Sequence, residues 1–193
     1  MKPLRIAMAS LALPVVLAAQ QPATPQANPI TSAFTARLRA AYHNIAQAFD
    51  SIPASKFDYK PTPAQLTIGF IAQHVASDNY LYCGTFGAMK PDVPEAEVST
   101  PDSVKAKWPK DQLVSELKAS FAFCTQAVGQ LNDATLGDSV SLIYAGAKRT
   151  TTHITPLLVH ALDLTDHYSQ LANYMRLNNL VPPTALPRPK AGN

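Results

Sequence analysis

Four stretches of roughly 20 residues repeat apolar side chains every three to four positions, and proline-rich segments separate them. This spacing predicts an all-α chain folded as a four-helix bundle. One connection sets the topology: the segment between helices two and three is about 21 residues long, whereas antiparallel neighbours usually need about 2–8. The sequence therefore predicts a long crossover that carries the chain back along the bundle.

Helix one is expected over residues 31–52, where Phe34, Leu38, Ala41, Ile45 and Phe49 keep the helical period. The loop at 53–63 is punctuated by prolines, and helix two is expected from Gln65 to about Ala88, with Ile68, Ile71, Val75 and Leu81 on one face. The crossover at 89–109 holds four prolines and an acidic cluster around Glu95 and Glu97, with a short helical turn expected at 103–107. Helix three follows from Lys110 to about Leu131. Val140, Leu142 and Tyr144 then alternate with Ser139, Ser141 and Ile143, a weak extended signal inside 133–151. Thr155-Pro156 reads as an N-cap and first-turn pair for helix four, which Val181-Pro182-Pro183 ends.

The first 19 residues place Lys2 and Arg5 ahead of an apolar run from Ile6 to Ala19 that ends in small residues, the pattern of a cleaved secretory signal. A run of about 14 apolar residues falls short of the ~20 needed to span a bilayer, so no stable membrane anchor is expected after cleavage. Residues 20–30 read as a flexible leader, 31–181 as the bundle and 182–193 as a disordered tail. The expected location is outside the cytoplasm, periplasmic or extracellular. Losing Lys2 and Arg5 lowers the formal charge from +3 to +1, which leaves no basic stripe for nucleic acid.

Cys83 and Cys124 have no close CxxC partner, and in an exported chain two cysteines more often form a disulfide than stay free. They lie at similar heights only if helices two and three are parallel, so the disulfide and the crossover support each other.

Several polar residues fall on faces that should be buried. On helix four, His160, Asp163 and His167 follow one stripe that continues through Leu171 and Tyr174. Asp163 and His167 are an i, i+4 pair, the spacing at which adjacent turns can share one ion. On helix two, His74 sits between Ile71 and Val75, with Asp78 one turn further on. Buried ionisable groups are costly unless paired or bound to metal, so spacing alone leaves two readings, a site formed by His74, Asp163 and His167 or a satisfied polar layer.

The stretches FDYKPTPAQLTIGFIAQHVASDNYLYCG and HALDLTDHYSQLANYMRLNNLVPP together resemble the DinB-like superfamily of metal-binding four-helix bundles. The resemblance implies a divalent metal, zinc foremost, with nickel, iron or manganese as alternatives. It implies that His74, Asp163 and His167 hold the ion. Asp163 stands where the family has the first histidine of a His-x-x-x-His pair, and a carboxylate there suits zinc, iron(II) or manganese.

The function expected from these residues is that of an exported metal-dependent hydrolase or thiol transferase acting on an unknown small molecule. Asp78 or Asp166 would act as general base or hold a ligand in place by hydrogen bonding, with His160 orienting a ligand or standing in as one. The alternative is a non-catalytic exported bundle that binds a small ligand or partner, with Tyr42, His43, Tyr80 and Trp108 as possible lining. Pairing of two copies through exposed helix faces is also expected. No G-x-S-x-G, P-loop or dinucleotide glycine pattern is present, and only seven glycines occur.

Overall fold

The computed structural model describes residues 27–144 and 146–187; the expected signal segment, most of the leader and the end of the tail lie outside them. In chain order the elements are α1 (Pro29–Ser51), α2 (Ile68–Cys83), α3 (Glu95–Ser99), α4 (Asp102–Lys105), α5 (Lys110–Val128), strands β1 (Ser139–Tyr144) and β2 (Ala147–Thr152), and α6 (Ile154–Leu177). The four long helices form the bundle. Their inward stripes bury Leu38, Ile45 and Phe49 of α1, Ile68, Ile71 and Val75 of α2, Leu113 and Leu117 of α5, and Leu157, Leu164 and Leu171 of α6.

Paired contacts fix the helix directions. Cys83 is bonded to Cys124, and one turn earlier Asn79 Nδ2 donates to Ser120 Oγ at 2.6 Å, so α2 and α5 run parallel. Between α2 and α6 the pairs are His74 with His167 and Tyr82 with His160, which makes those helices antiparallel. Lys110 Nζ at the start of α5 donates to the carbonyls of Asp50 and Ile52 at the end of α1, so these two are also antiparallel. Around the bundle the packed neighbours run α1, α5, α2, α6 and back to α1.

Parallel α2 and α5 require the crossover, which spans 84–109. Helix two ends at Cys83, earlier than its apolar period suggests, because Thr85 Oγ1 donates to the Tyr82 carbonyl and Ala88 N donates to Gln130 Oε1. The backbone is turned away before it can continue the helix. Pro94, Pro101 and Pro109 each stand immediately before a helix, namely α3, α4 and α5. Only the second short helix was expected, near its observed position.

The crossover returns so close to α2 that a Cβ on Gly69 would collide with the Ala106 carbonyl oxygen. That oxygen is backbone and cannot swing aside. Gly69→Ala is therefore expected to lower stability by about 1–3 kcal/mol, read as a fall in the urea midpoint. A variant as stable as the wild type would show that the crossover is free to lift from α2.

The structure differs from expectation at four further places. The segment before α6 is an antiparallel hairpin, β1 with β2, in the register Ser139 to Thr152, with Gly146 at φ 76° in the reversal. Only its first arm carried alternating apolar residues, whereas the second arm pairs through threonines, including Ser141 Oγ and Thr150 Oγ1 at 3.2 Å. Helix four starts one residue before Thr155, which makes no capping bond; the hairpin supplies the start instead, through Ile154 N donating to the Leu136 carbonyl. Residues 182–187, placed in a disordered tail, fold back on α6 as a 3-10 turn, where Thr184 N donates to Tyr168 Oη and that hydroxyl donates to Thr184 Oγ1. Similarly, α1 begins at Pro29 rather than at residue 31, because the Asp133 carboxylate accepts from Ile30 N and Thr31 N.

Candidate metal centre

One stripe of α2, His74, Asp78 and Tyr82 at i, i+4 and i+8, faces one stripe of α6, Val159, Asp163 and His167, in reverse order. At one end of this seam the rings of His74 and His167 meet edge to face, with centroids 4.9 Å apart. His167 Nε2 lies 3.3 Å from Asp163 Oδ1, and His74 Nε2 lies 3.6 Å from Asp78 Oδ2. The donor atoms of His74, Asp163 and His167 all fall within 4.8 Å of one another. Thus the fold brings together the three residues named from the sequence as metal ligands.

The cluster opens to one side. His167 is 7% exposed and Asp163 21%, while His74 on the opposite helix is 30% exposed.

The cluster sets two imidazoles against two carboxylates in a half-buried seam. Burial pushes the Asp78 carboxyl up to about 6, and the nearby Asp163 and Asp102 add to the rise, while His74 and His167 oppose it. Burial pulls His167 down, but the hydrogen bond and charge of Asp163, joined by Asp166 and Asp78, carry it above its ordinary value. Two polar atoms inside the cluster, Asp163 Oδ2 and His167 Nδ1, are buried without a hydrogen-bond partner. A buried acceptor without a partner costs roughly 1–3 kcal/mol. Two imidazoles and a carboxylate, with coordinating capacity left over, fit a divalent ion of the zinc, iron(II), nickel or manganese type.

The two residues named as candidate bases separate in the structure. Asp78 lies beside the cluster, its Oδ2 3.6 Å from His74 Nε2 and its carboxyl within the field of Asp163. Asp166 is exposed, and its Oδ2 accepts from Gln170 Nε2 at 2.8 Å. At 100° per residue it points about a quarter-turn away from His167 and reaches the cluster only through its charge.

His160 does not join the ligands either. It is fully buried against the disulfide, with Nε2 3.0 Å from Tyr42 Oη and 3.6 Å from Cys83 Sγ. Burial drives its pKa from 6.5 down to about 4, against a small opposing pull from Asp163. As pH falls from 6.5 towards 4, the unfolded chain therefore takes up a proton that the folded chain refuses, and stability falls by up to roughly 3 kcal/mol. The wild type should lose this stability relative to His160→Gln in denaturant series run at descending pH. A difference between the two that does not change with pH would contradict the assignment.

The aromatic residues named for the ligand-binding alternative also part company. Tyr42 is core, stacked on Phe121, and His43 is exposed. Tyr80 and Trp108 do line a cavity of about 400 Å³ between α2 and the crossover, on the side of α2 away from the ligand cluster. Tyr82, missed in the sequence, belongs to the metal seam. Its signal was the i+4 step from Asp78.

A four-helix bundle with a long crossover between parallel helices and a three-donor cluster on facing helices defines the class of the fold. The chain belongs to the DinB superfamily, whose sequence pattern matches residues 37–170. A DinB-like protein from Bacillus cereus superimposes with a TM-score of 0.61 at 14% identity, over 79% of this chain and 95% of that one. YfiT from Bacillus subtilis, described as a probable metal-dependent hydrolase with an unusual four-helix bundle topology, gives 0.58 at 13% identity, covering 83% and 94%. The mycothiol-dependent maleylpyruvate isomerase gives 0.57 at 16% identity, over 73% of this chain and 60% of that one. At these identities the structural likeness is one of fold. No curated protein matches the sequence.

Proposed function

We propose that the chain is an exported, divalent-metal-dependent hydrolase of a small molecule, with His74, Asp163 and His167 holding the ion. The observation that carries this reading is the meeting of three donor atoms from two helices, with two buried polar atoms left without partners. The description of YfiT as a probable metal-dependent hydrolase supports it. The apolar run after Lys2 and Arg5 supports export, as does the Cys83–Cys124 disulfide. Export also favours hydrolysis over thiol transfer, because low-molecular-weight thiols are cytosolic co-substrates.

A bound divalent ion would supply Lewis acidity towards a substrate carbonyl or phosphoryl group. The chain's own residues do the rest. Asp78, with a carboxyl pushed up to about 6, is mostly ionised at neutral pH yet basic enough to take a proton at its carboxylate oxygen. His167, held by Asp163, stays fixed in orientation, and the Tyr82 hydroxyl can donate to a substrate oxygen at the far end of the seam.

Asp78→Asn tests the assignment of base. In an ester and amide hydrolysis panel with the zinc-loaded protein, kcat is expected to fall about 10²–10⁴-fold with zinc content unchanged. Unchanged hydrolysis would remove Asp78 from the chemistry, and lost zinc would make it a ligand instead.

A further inference from the structure

The hairpin β1–β2 roofs a cleft of about 350 Å³ over the first turns of α6 and the end of α2. Its floor is Tyr82 and Val159, each one helical turn, about 6 Å of rise, from a carboxylate of the metal seam, Asp78 and Asp163 respectively. The cleft and the candidate metal centre therefore lie next to each other along the α2–α6 seam. Tyr82 belongs to both: it lines the cleft under the hairpin and stands one turn along α2 from Asp78, and burial, with the charges of Asp78, Tyr144 and Asp163, pushes its phenol up to about 12, so it keeps its proton.

The roof combines Leu142 and Tyr144 of β1 with Thr150 and Thr151 of β2 and a single charged side chain, Arg149, paired across the strands with Leu142. No Asp or Glu lines the cleft, and among the described residues none of the ion pairs engages Arg149. A guanidinium without a carboxylate partner, at the rim of a mostly apolar cleft that adjoins a metal-type cluster, is complementary to an anion carried on an apolar body.

We propose that this cleft is the substrate site and that it takes carboxylates with an apolar or aromatic body, the carboxylate pairing with Arg149 and the body lying between Tyr82, Leu142 and Tyr144. Which bond is then cleaved rests on the hydrolase reading above; the recognition does not. The hairpin thus becomes the specificity element of the seam. The reactive carbonyl of such a substrate would lie towards Asp78 and Asp163, at the end of the molecule opposite its carboxylate.

The test uses the full chain without added metal and 3-phenylpropionate as probe, with binding measured by titration calorimetry or NMR line shifts. The neutral amide 3-phenylpropanamide serves as control. Wild type is expected to bind the carboxylate at least roughly tenfold more tightly than the amide, and Arg149→Gln is expected to erase that preference. Arg149→Gln should also take up zinc with the wild-type stoichiometry, since it is not a ligand. No binding of the carboxylate, equal binding of the amide, or a preference that survives in Arg149→Gln would each overturn the proposal. Failure of the metal reading would show separately, as absent zinc uptake beside intact carboxylate selectivity. A probe series with phenyl phosphate distinguishes carboxylate from phosphate monoester: tighter phosphate binding would overturn the carboxylate assignment.

Discussion

Excess zinc should raise the melting temperature of the metal-free protein by roughly 10 °C, and His167→Ala should abolish the rise. At a free concentration a thousand times Kd, one site that binds only the folded chain adds about 4 kcal/mol, which for a domain of this size is about 8–16 °C. His167 is the most buried of the three donors and the one fixed by Asp163, so its loss removes a ligand and also frees the carboxylate to move. In the absence of metal the same variant should lose stability, because the raised His167 shields the carboxylates of Asp78 and Asp163 from each other. A zinc-induced shift that persists in His167→Ala, seen in parallel thermal scans, would move the site elsewhere.

Opening the disulfide should cost about as much. Cys83 and Cys124 are separated by 41 residues and close a loop that contains the entire crossover. In the chain-entropy account, a cross-link of that span removes freedom from the unfolded state worth about 4 kcal/mol. The double variant Cys83→Ala, Cys124→Ala should therefore melt roughly 10 °C lower, and reduction of the wild type should approach the same value. The α2–α5 pair has the most to lose, since the bond lies at the end of their parallel seam and beside buried His160. A loss of less than about 1 kcal/mol in guanidinium unfolding would mean that packing alone holds the parallel pair in register.

The helices could be read in the sequence because each buries a stripe: Leu38, Ile45 and Phe49 recur at helical spacing whatever their partners are. The parallel arrangement of α2 and α5 was readable for a different reason, since two cysteines near the ends of two helices meet only if those ends coincide. What the sequence hid depended on contacts between distant segments. Asp133 caps α1 across 102 residues, Gln130 ends α2 by binding Ala88, and the second strand, AKRTTT, has no apolar alternation because both its faces are largely exposed.

The candidate site divides along the same line. Asp163 and His167 announce themselves by an i, i+4 step within one helix, whereas the meeting of His74 with them requires that α2 and α6 be antiparallel neighbours. Asp166 looked as suitable as Asp78 because both lie near a histidine in the chain. Rotation about the helix axis separates them, leaving one in the seam and the other in solvent against Gln170. Tyr82 was hidden because an aromatic at helical spacing is usually core, and here it is both buried and part of the seam.

The most direct test is elemental analysis of the protein purified without chelator, beside His74→Ala. The account predicts about one divalent ion per wild-type chain, zinc foremost, and none in the variant. A wild-type protein that stays metal-free after exposure to zinc, nickel, iron(II) and manganese would contradict it, and the seam between α2 and α6 would then be a buried polar layer.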